Sequence, residues 1–400
     1  MLSVFQFSVQ RSASILPSVD NLTHSLVGLA AAKAGLERQS PYATFVCVVA
    51  ANLPDIDIVA VAGGPAFYLK HHRGITHSIA GTLALAVAFP LLFCAAERVW
   101  ARARGRDARA RLKGLLVCSL LLSASHPLLD WTNSYGVRPF LPWDGRWIYG
   151  DLLFVIDPWV WLVLGGACFL LTKARRAVAG WAALAFVITF LFYRVTWQGG
   201  AAFPTGQGAG FWAPNLWCAG LGVFLVMRWK SFGTRYGRGV AAAALAFVVL
   251  YCSAMKVVQV RARAEADAGA RELASYVNDR VLRVAATPVL ADPLTWRCIA
   301  ENEHSYMRFD LKLGRPLKEV LLGIPSFPKP AGEDALLVER ASRDANARVL
   351  LDFARFPAAR VLRADSGQWV VQFADLRFTE PGSRSRPGGF ALDVPVGSRQ

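Results

Sequence analysis

Over the first 260 positions, long apolar runs alternate with short polar breaks that are often basic; beyond that point the pattern stops. Runs near residues 78–97, 114–130, 152–172, 177–196, 208–227 and 239–258 each approach the roughly 20 residues that cross a bilayer core of about 30 Å. Two shorter runs, 22–37 and 42–61, complete a predicted set of about eight membrane helices. The second contains "NLPDID", so its helix is predicted to end before Pro54 and to present Asp55 and Asp57 from extended backbone, where alternate residues point the same way. After residue 260 the stretch "RARAEADAGARELASYVNDRVLRVA" has a helical pattern. "TWRCIAENEHSYMRFDL" and "RVLRADSGQWVVQFADLRF" are rich in strand formers, and Asp365-Ser366-Gly367 marks a hairpin turn.

Composition agrees with the pattern. With 54% hydrophobic and 18% charged residues the chain is too apolar for an ordinary soluble protein. The seven cysteines are scattered singly, mostly in apolar runs, and read as small core residues rather than a disulfide framework. The predicted fold class is an α-helical polytopic membrane protein with a small C-terminal α+β extramembrane domain. The expected division is an N-terminal extension over residues 1–19, with a start near Val19, a membrane-embedded domain over 20–260, and a further domain over 261–400.

The net charge of +16 raises nucleic acid as a partner, but its distribution argues against one. Residues 1–260 carry 23 Lys and Arg against 10 Asp and Glu, whereas 261–400 carry 21 against 18. The excess sits in "RVWARARGRDARARLKG", "KARR" and "RWKSFGTRYGR", loops between predicted spans, and the positive-inside rule places such loops in the cytoplasm. Alternate crossings then put His24, "NLPDID", His77, His126, Asp130, Asp151 and Asp157 at outer helix ends. The same topology delivers the C-terminal domain to the exterior, as a periplasm-like domain.

Ionisable groups at membrane spans are costly to bury and are functional by default. Here His24, Asp55, Asp57, His71, His72, His77, His126, Asp130, Asp151 and Asp157 converge on one predicted face, a His/Asp ligand set suited to zinc, with manganese as the alternative. His126 and Asp130, in "SHPLLDW", are four apart and share a helix face; Pro127 suggests that this helix restarts beside His126. "LTHS" and "ITHS" read as two similar helix entrances carrying His24 and His77, with Thr or Ser as caps. One ion or two would be held, with some candidates orienting the ligands; His71, Asp151 and Asp157 are assigned as orienting or additional groups. Asp57 is the expected catalytic base, and Arg73, Arg138 and Arg146 are expected to bind a substrate anion. Asp144 reads as a turn residue and His304 as surface.

The pieces "DNLTHSLVG", "ANLPDID", "HRGITHS" and "HPLLDWTNSYGVRPFLPW", followed by "D…FVIDP", resemble the YdjM-type family of membrane-bound metal-dependent hydrolases of bacterial inner membranes. The resemblance spans about residues 20–160. It implies a multi-spanning hydrolase with a metal centre, carried onto His24, Asp55, Asp57, His72, His77, His126 and Asp130. A looser similarity to zinc-dependent phospholipase C adds the expectation of an ester or phosphoester in an amphiphilic, lipid-like substrate, with membrane lipids as partners. The alternative is a metal-ion transporter or sensor.

Overall fold

The computed structural model describes residues 15–197, 212–315, 324–364, 367–383 and 389–397. Residues 1–14 of the expected extension, the first positions of the run at 208 and the Asp365-Ser366 part of the turn lie outside the described residues. The membrane part comprises α1 (Ile15–Ala34), α2 (Ala43–Asn52), a 3-10 segment (Leu53–Gly63), α3 (Pro65–His71) and a 3-10 turn (Ile75–His77). It continues through α4 (Ile79–Ala103), α5 (Leu112–Trp131), α6 (Pro158–Leu171), α7 (Arg175–Trp197), α8 (Trp212–Trp229), the short α9 (Phe232–Tyr236) and α10 (Arg238–Tyr276).

Five of the described helical segments are long and apolar enough to cross a membrane: Ala43–Gly63, α4, α5, Arg175–Thr196 and α10. The run at 152–172 differs most from expectation. Its first residues are irregular and only 14 form α6, a length of about 21 Å at the rise of an α-helix. Large apolar side chains such as Leu83 and Leu92 on α4, Phe186 and Phe190 on α7, and Val249 and Leu250 on α10 stay exposed, as hydrocarbon-facing positions would.

Small residues set the core of the membrane part. Ala30, Ala43, Cys47, Ala50, Ala51 and Cys118 are fully buried where α1, α2 and α5 meet. Gly28 permits that approach, since a Cβ there would stand 2.7 Å from the Cys47 carbonyl oxygen. All seven cysteines are free, and five of them are buried.

α10 has 39 residues and does not stop where its apolar run stops. Its later turns bury Ala262, Ala266 and Ala270, a small-residue stripe at four-residue spacing that lets the first sheet pack closely. That sheet is an antiparallel meander of β1 (Val281–Val289), β2 (Asp292–Asn302), β3 (Ser305–Lys312) and β4 (Ser326–Pro328). After α11 (Glu333–Ser342) and α12 (Ala345–Phe353), a second antiparallel sheet orders β5 (Pro357–Arg363), β6 (Trp369–Asp375) and β7 (Ala391–Val396). One apolar core runs from the membrane helices into β1–β3. Another joins α11, α12, β6 and β7 to Leu69 and Tyr135 of the membrane part.

Candidate metal centre

The chain folds so that four separate segments deliver His and Asp to one buried point. α2 ends at Asn52, whose side-chain amide donates to the Val48 carbonyl (2.8 Å) and to Ser25 Oγ (3.0 Å), tying α2 to α1. Leu53 and Pro54 then tighten the chain into a 3-10 helix, so Asp55 and Asp57 are not on extended backbone as expected. They diverge, Asp55 toward His77 and His126, Asp57 toward His72 and His77. Ser78 caps α4 by accepting from the Gly81 N–H (3.1 Å), which places His77 just before the helix.

"LTHS" behaves differently from "ITHS". His24 lies well inside α1, with Thr23 accepting from Trp161 Nε1 (2.8 Å) and Ser25 accepting from Asn52, so neither neighbour caps an entrance. α5 likewise continues through Pro127 without restarting. His126 and Asp130 nevertheless share its buried face.

The central contacts are short. His77 Nε2 stands 3.1 Å from His126 Nε2, 3.3 Å from Asp55 Oδ1 and 3.2 Å from Asp130 Oδ2. His126 Nε2 stands 3.4 Å from Asp55 Oδ1 and 3.5 Å from Asp130 Oδ2. Four ligand atoms arranged tetrahedrally at about 2.0–2.1 Å from one zinc stand about 3.3 Å from each other. The five observed spacings bracket that edge.

Hydrogen bonding on the far side of each ring decides what the near side offers. His126 Nδ1 donates to the Ala51 carbonyl (2.6 Å), leaving Nε2 with its lone pair. His77 Nδ1 lies 3.2 Å from Asp57 Oδ2 and 3.1 Å from Thr76 Oγ1, which directs its proton to the same side. Both Nε2 atoms stand within 3.5 Å of an Asp55 oxygen and of an Asp130 oxygen. Charge gives the same answer: Asp55, Asp57 and Asp130 are set against Arg73, which pairs with Asp130 at 2.8 Å. Three carboxylates thus share the site with one guanidinium and the imidazoles, a donor set of the kind that holds a divalent cation.

The expected ligands thus come together, and their groups form three overlapping sets: His24, His126 and Asp130; Asp55, His77 and His126; Asp55, Asp57 and His72. His24 stacks on His126 with ring centroids 3.7 Å apart and approaches Asp130 Oδ1 at 3.5 Å. Asp57 has both oxygens engaged, Oδ1 by His72 Nδ1 (3.0 Å) and Oδ2 by the Arg73 N–H (2.9 Å) and Thr76 (3.1 Å). These contacts join Asp57 to His72 and, through Oδ2, to His77.

The residues expected to orient the ligands are elsewhere. His71 is exposed and packs on Phe67. Asp157 caps α6, accepting from the N–H groups of Trp159 and Val160, and accepts from Tyr251. Asp151 pairs with Arg355 of the C-terminal domain at 2.7 Å. Of the three arginines, Arg146 is exposed and pairs with Asp144, the expected turn residue. Arg138 is buried, donates to the Lys70 carbonyl and lies over Trp147. Arg73 is built into the cluster through Asp130 and Asn133 Oδ1 (2.9 Å), on a left-handed backbone with φ 51°. Its position between "HH" and "ITHS" was the only sequence signal for that role.

Comparison with known proteins places this architecture. Residues 19–200 match the family described as YdjM inner membrane protein, the family that the motifs resemble. The "Uncharacterized protein YfhP" of Bacillus subtilis (strain 168) is 26% identical over 152 residues, covering 36% of this chain and 43% of that protein, less than half its length. No solved structure matches the chain. Family and apolar helices together make this a membrane protein.

Proposed function

We propose a metal-dependent hydrolase with its centre at the outer face of the inner membrane, supported by the match to the YdjM inner membrane family and by a buried His/Asp cluster at spacings suited to a divalent cation. The observation that carries this reading is the meeting of His77 Nε2, His126 Nε2, Asp55 and Asp130 at zinc-like spacings, with both ring protons turned away. A bound zinc, or manganese, would polarise a phosphoryl or acyl oxygen and make a water acidic enough to attack at neutral pH. The protein supplies the rest. Asp57 fixes His72 and His77 through their Nδ1 atoms, leaving His72 Nε2 to hold or release a proton. Arg73 neutralises one oxygen of Asp130 and turns the other toward the histidines.

Access comes from the side of Asp55 and His72, whose side chains are 13% and 12% exposed, against 0–1% for His77, His126 and Asp130. Around that edge Ile56, Val59, Phe67 and Ile75 are about half exposed or more. A polar centre beneath an apolar rim suits an ester or phosphoester whose other end is lipid-like. On this reading the C-terminal domain is periplasmic.

The test is elemental mass spectrometry of detergent-purified chain. Wild type should hold about one equivalent of zinc or manganese, and His126→Ala and Asp55→Ala, still folded, should hold none. Absence of metal from wild type after reconstitution would refute the centre. Metal retention without turnover of any phosphoester or lipid ester would shift the reading to transport or sensing.

A further inference from the structure

We infer that the C-terminal domain is a structural wall of the metal centre, and that Arg377 is a positioning residue that sets how tightly the metal is held. The inference rests on the metal-centre reading above and concerns a part of the chain beyond the family match. Its path begins at Asp130. Just beyond α5, Asn133 Oδ1 accepts both from Arg73 Nη1 and from the Tyr135 N–H, each at 2.9 Å. The Tyr135 ring lies under the Arg73 guanidinium at 4.8 Å and edge-on to His72 at 5.6 Å. This loop therefore decides where Arg73 sits, and Arg73 decides which Asp130 oxygen faces the histidines.

The loop is held from the far end of the sequence. Arg377 Nη1 donates to the Ser134 carbonyl at 2.7 Å across 243 positions, and Nη2 donates to the Phe353 carbonyl at 3.0 Å. Asp375 pairs with the same guanidinium at 2.6 Å, and neither side chain is exposed. On its other face Tyr135 packs against Phe353 with centroids 4.7 Å apart and against Phe390 at 6.0 Å. Arg355 adds a second tie to the same connection through Asp151. A buried ion pair recovers its desolvation only with well-placed partners, and two of the partners here are carbonyls on either side of the domain interface. Carboxylates and histidines around a metal lose grip when the groups that orient them are loosened, by about 10- to 100-fold in affinity.

The experiment measures zinc affinity of the detergent-purified full chain by competition with a chromophoric chelator, alongside helix content and thermal melting. Arg377→Met should weaken zinc binding by about 10- to 100-fold, and Arg377→Lys should recover part of the loss. Tyr135→Leu, which keeps every backbone contact of Arg377 but removes the ring under Arg73, should weaken binding in the same direction; it decides the matter if Arg377→Met does not fold. Wild-type zinc affinity in both folded variants overturns the inference while leaving the centre intact. Failure of wild type itself to bind zinc overturns the centre, a separate result.

Discussion

The membrane cluster and the C-terminal domain use the same charged side chains in opposite ways. In the domain, buried and half-buried carboxylates are matched by cations: Asp375 with Arg377, Asp310 with Arg297, Glu380 with Arg308, and Glu301 with Arg283 and Lys329. In the membrane part, Asp130 pairs with the Arg73 guanidinium, while Asp55 and Asp57 face imidazoles, Asp55 those of His77 and His126 and Asp57 those of His72 and His77. A closed set of pairs serves structure and needs nothing further. An open set gathers carboxylates and imidazoles against one another, the arrangement that a bound cation would hold together.

The comparison predicts opposite responses to one chemical change, carboxylate to amide. Asp375→Asn leaves Arg377 charged and buried without its counter-ion, a change that costs about 3–5 kcal/mol. It should appear as a large drop in the melting temperature of the purified chain. Asp55→Asn removes one of the clustered negative charges and supplies an N–H to the facing imidazoles. In chelator-treated protein it should raise the melting temperature, by about 1 kcal/mol in stability terms, and it should abolish metal retention. If both variants shift melting in the same direction without metal, the distinction between closed and open sets fails.

Much of the centre was legible because membrane burial makes polar residues conspicuous. In a chain half composed of apolar residues, ten His and Asp at span ends could be collected by placement, and the seven that the family resemblance singles out among them come together in the structure. Their roles were less legible, because roles depend on what each atom touches. Asp57 reads as a base from its residue type alone, and no spacing announces that both of its oxygens accept hydrogen bonds, from His72, the Arg73 N–H and Thr76. Asp157, equally buried, turned out to be a helix cap, since a cap and a ligand share the same residue type before a Pro at a helix start. The 3-10 turn at Leu53–Gly63 was hidden because Pro54 forbids a regular helix without saying what replaces it. Arg377 and Asp375 carried no signal at all: a short polar pair in a strand-rich segment looks like surface, and only the tertiary fold brings it to Ser134.

The smallest predicted effect tests the closed side of the comparison where it is weakest. Burial alone would push the Glu301 carboxyl upward, but Lys329 and Arg283 outweigh it and hold it below the ordinary glutamate value. A carboxyl depressed on folding contributes stability that is fully present above its unfolded pKa and disappears as pH falls through the folded one. Near neutral pH, Glu301→Gln should therefore cost less than about 1 kcal/mol, as expected for a pair partly screened by solvent. Titrated downward, the melting temperatures of wild type and variant should converge below the ordinary glutamate range. At any one pH the variant should bind zinc as tightly as wild type, because Glu301 pairs with Arg283 and Lys329 rather than with Arg377 or the loop at Ser134. A metal effect from Glu301→Gln would mean that the domain acts on the centre through general stability rather than through the one buried arginine.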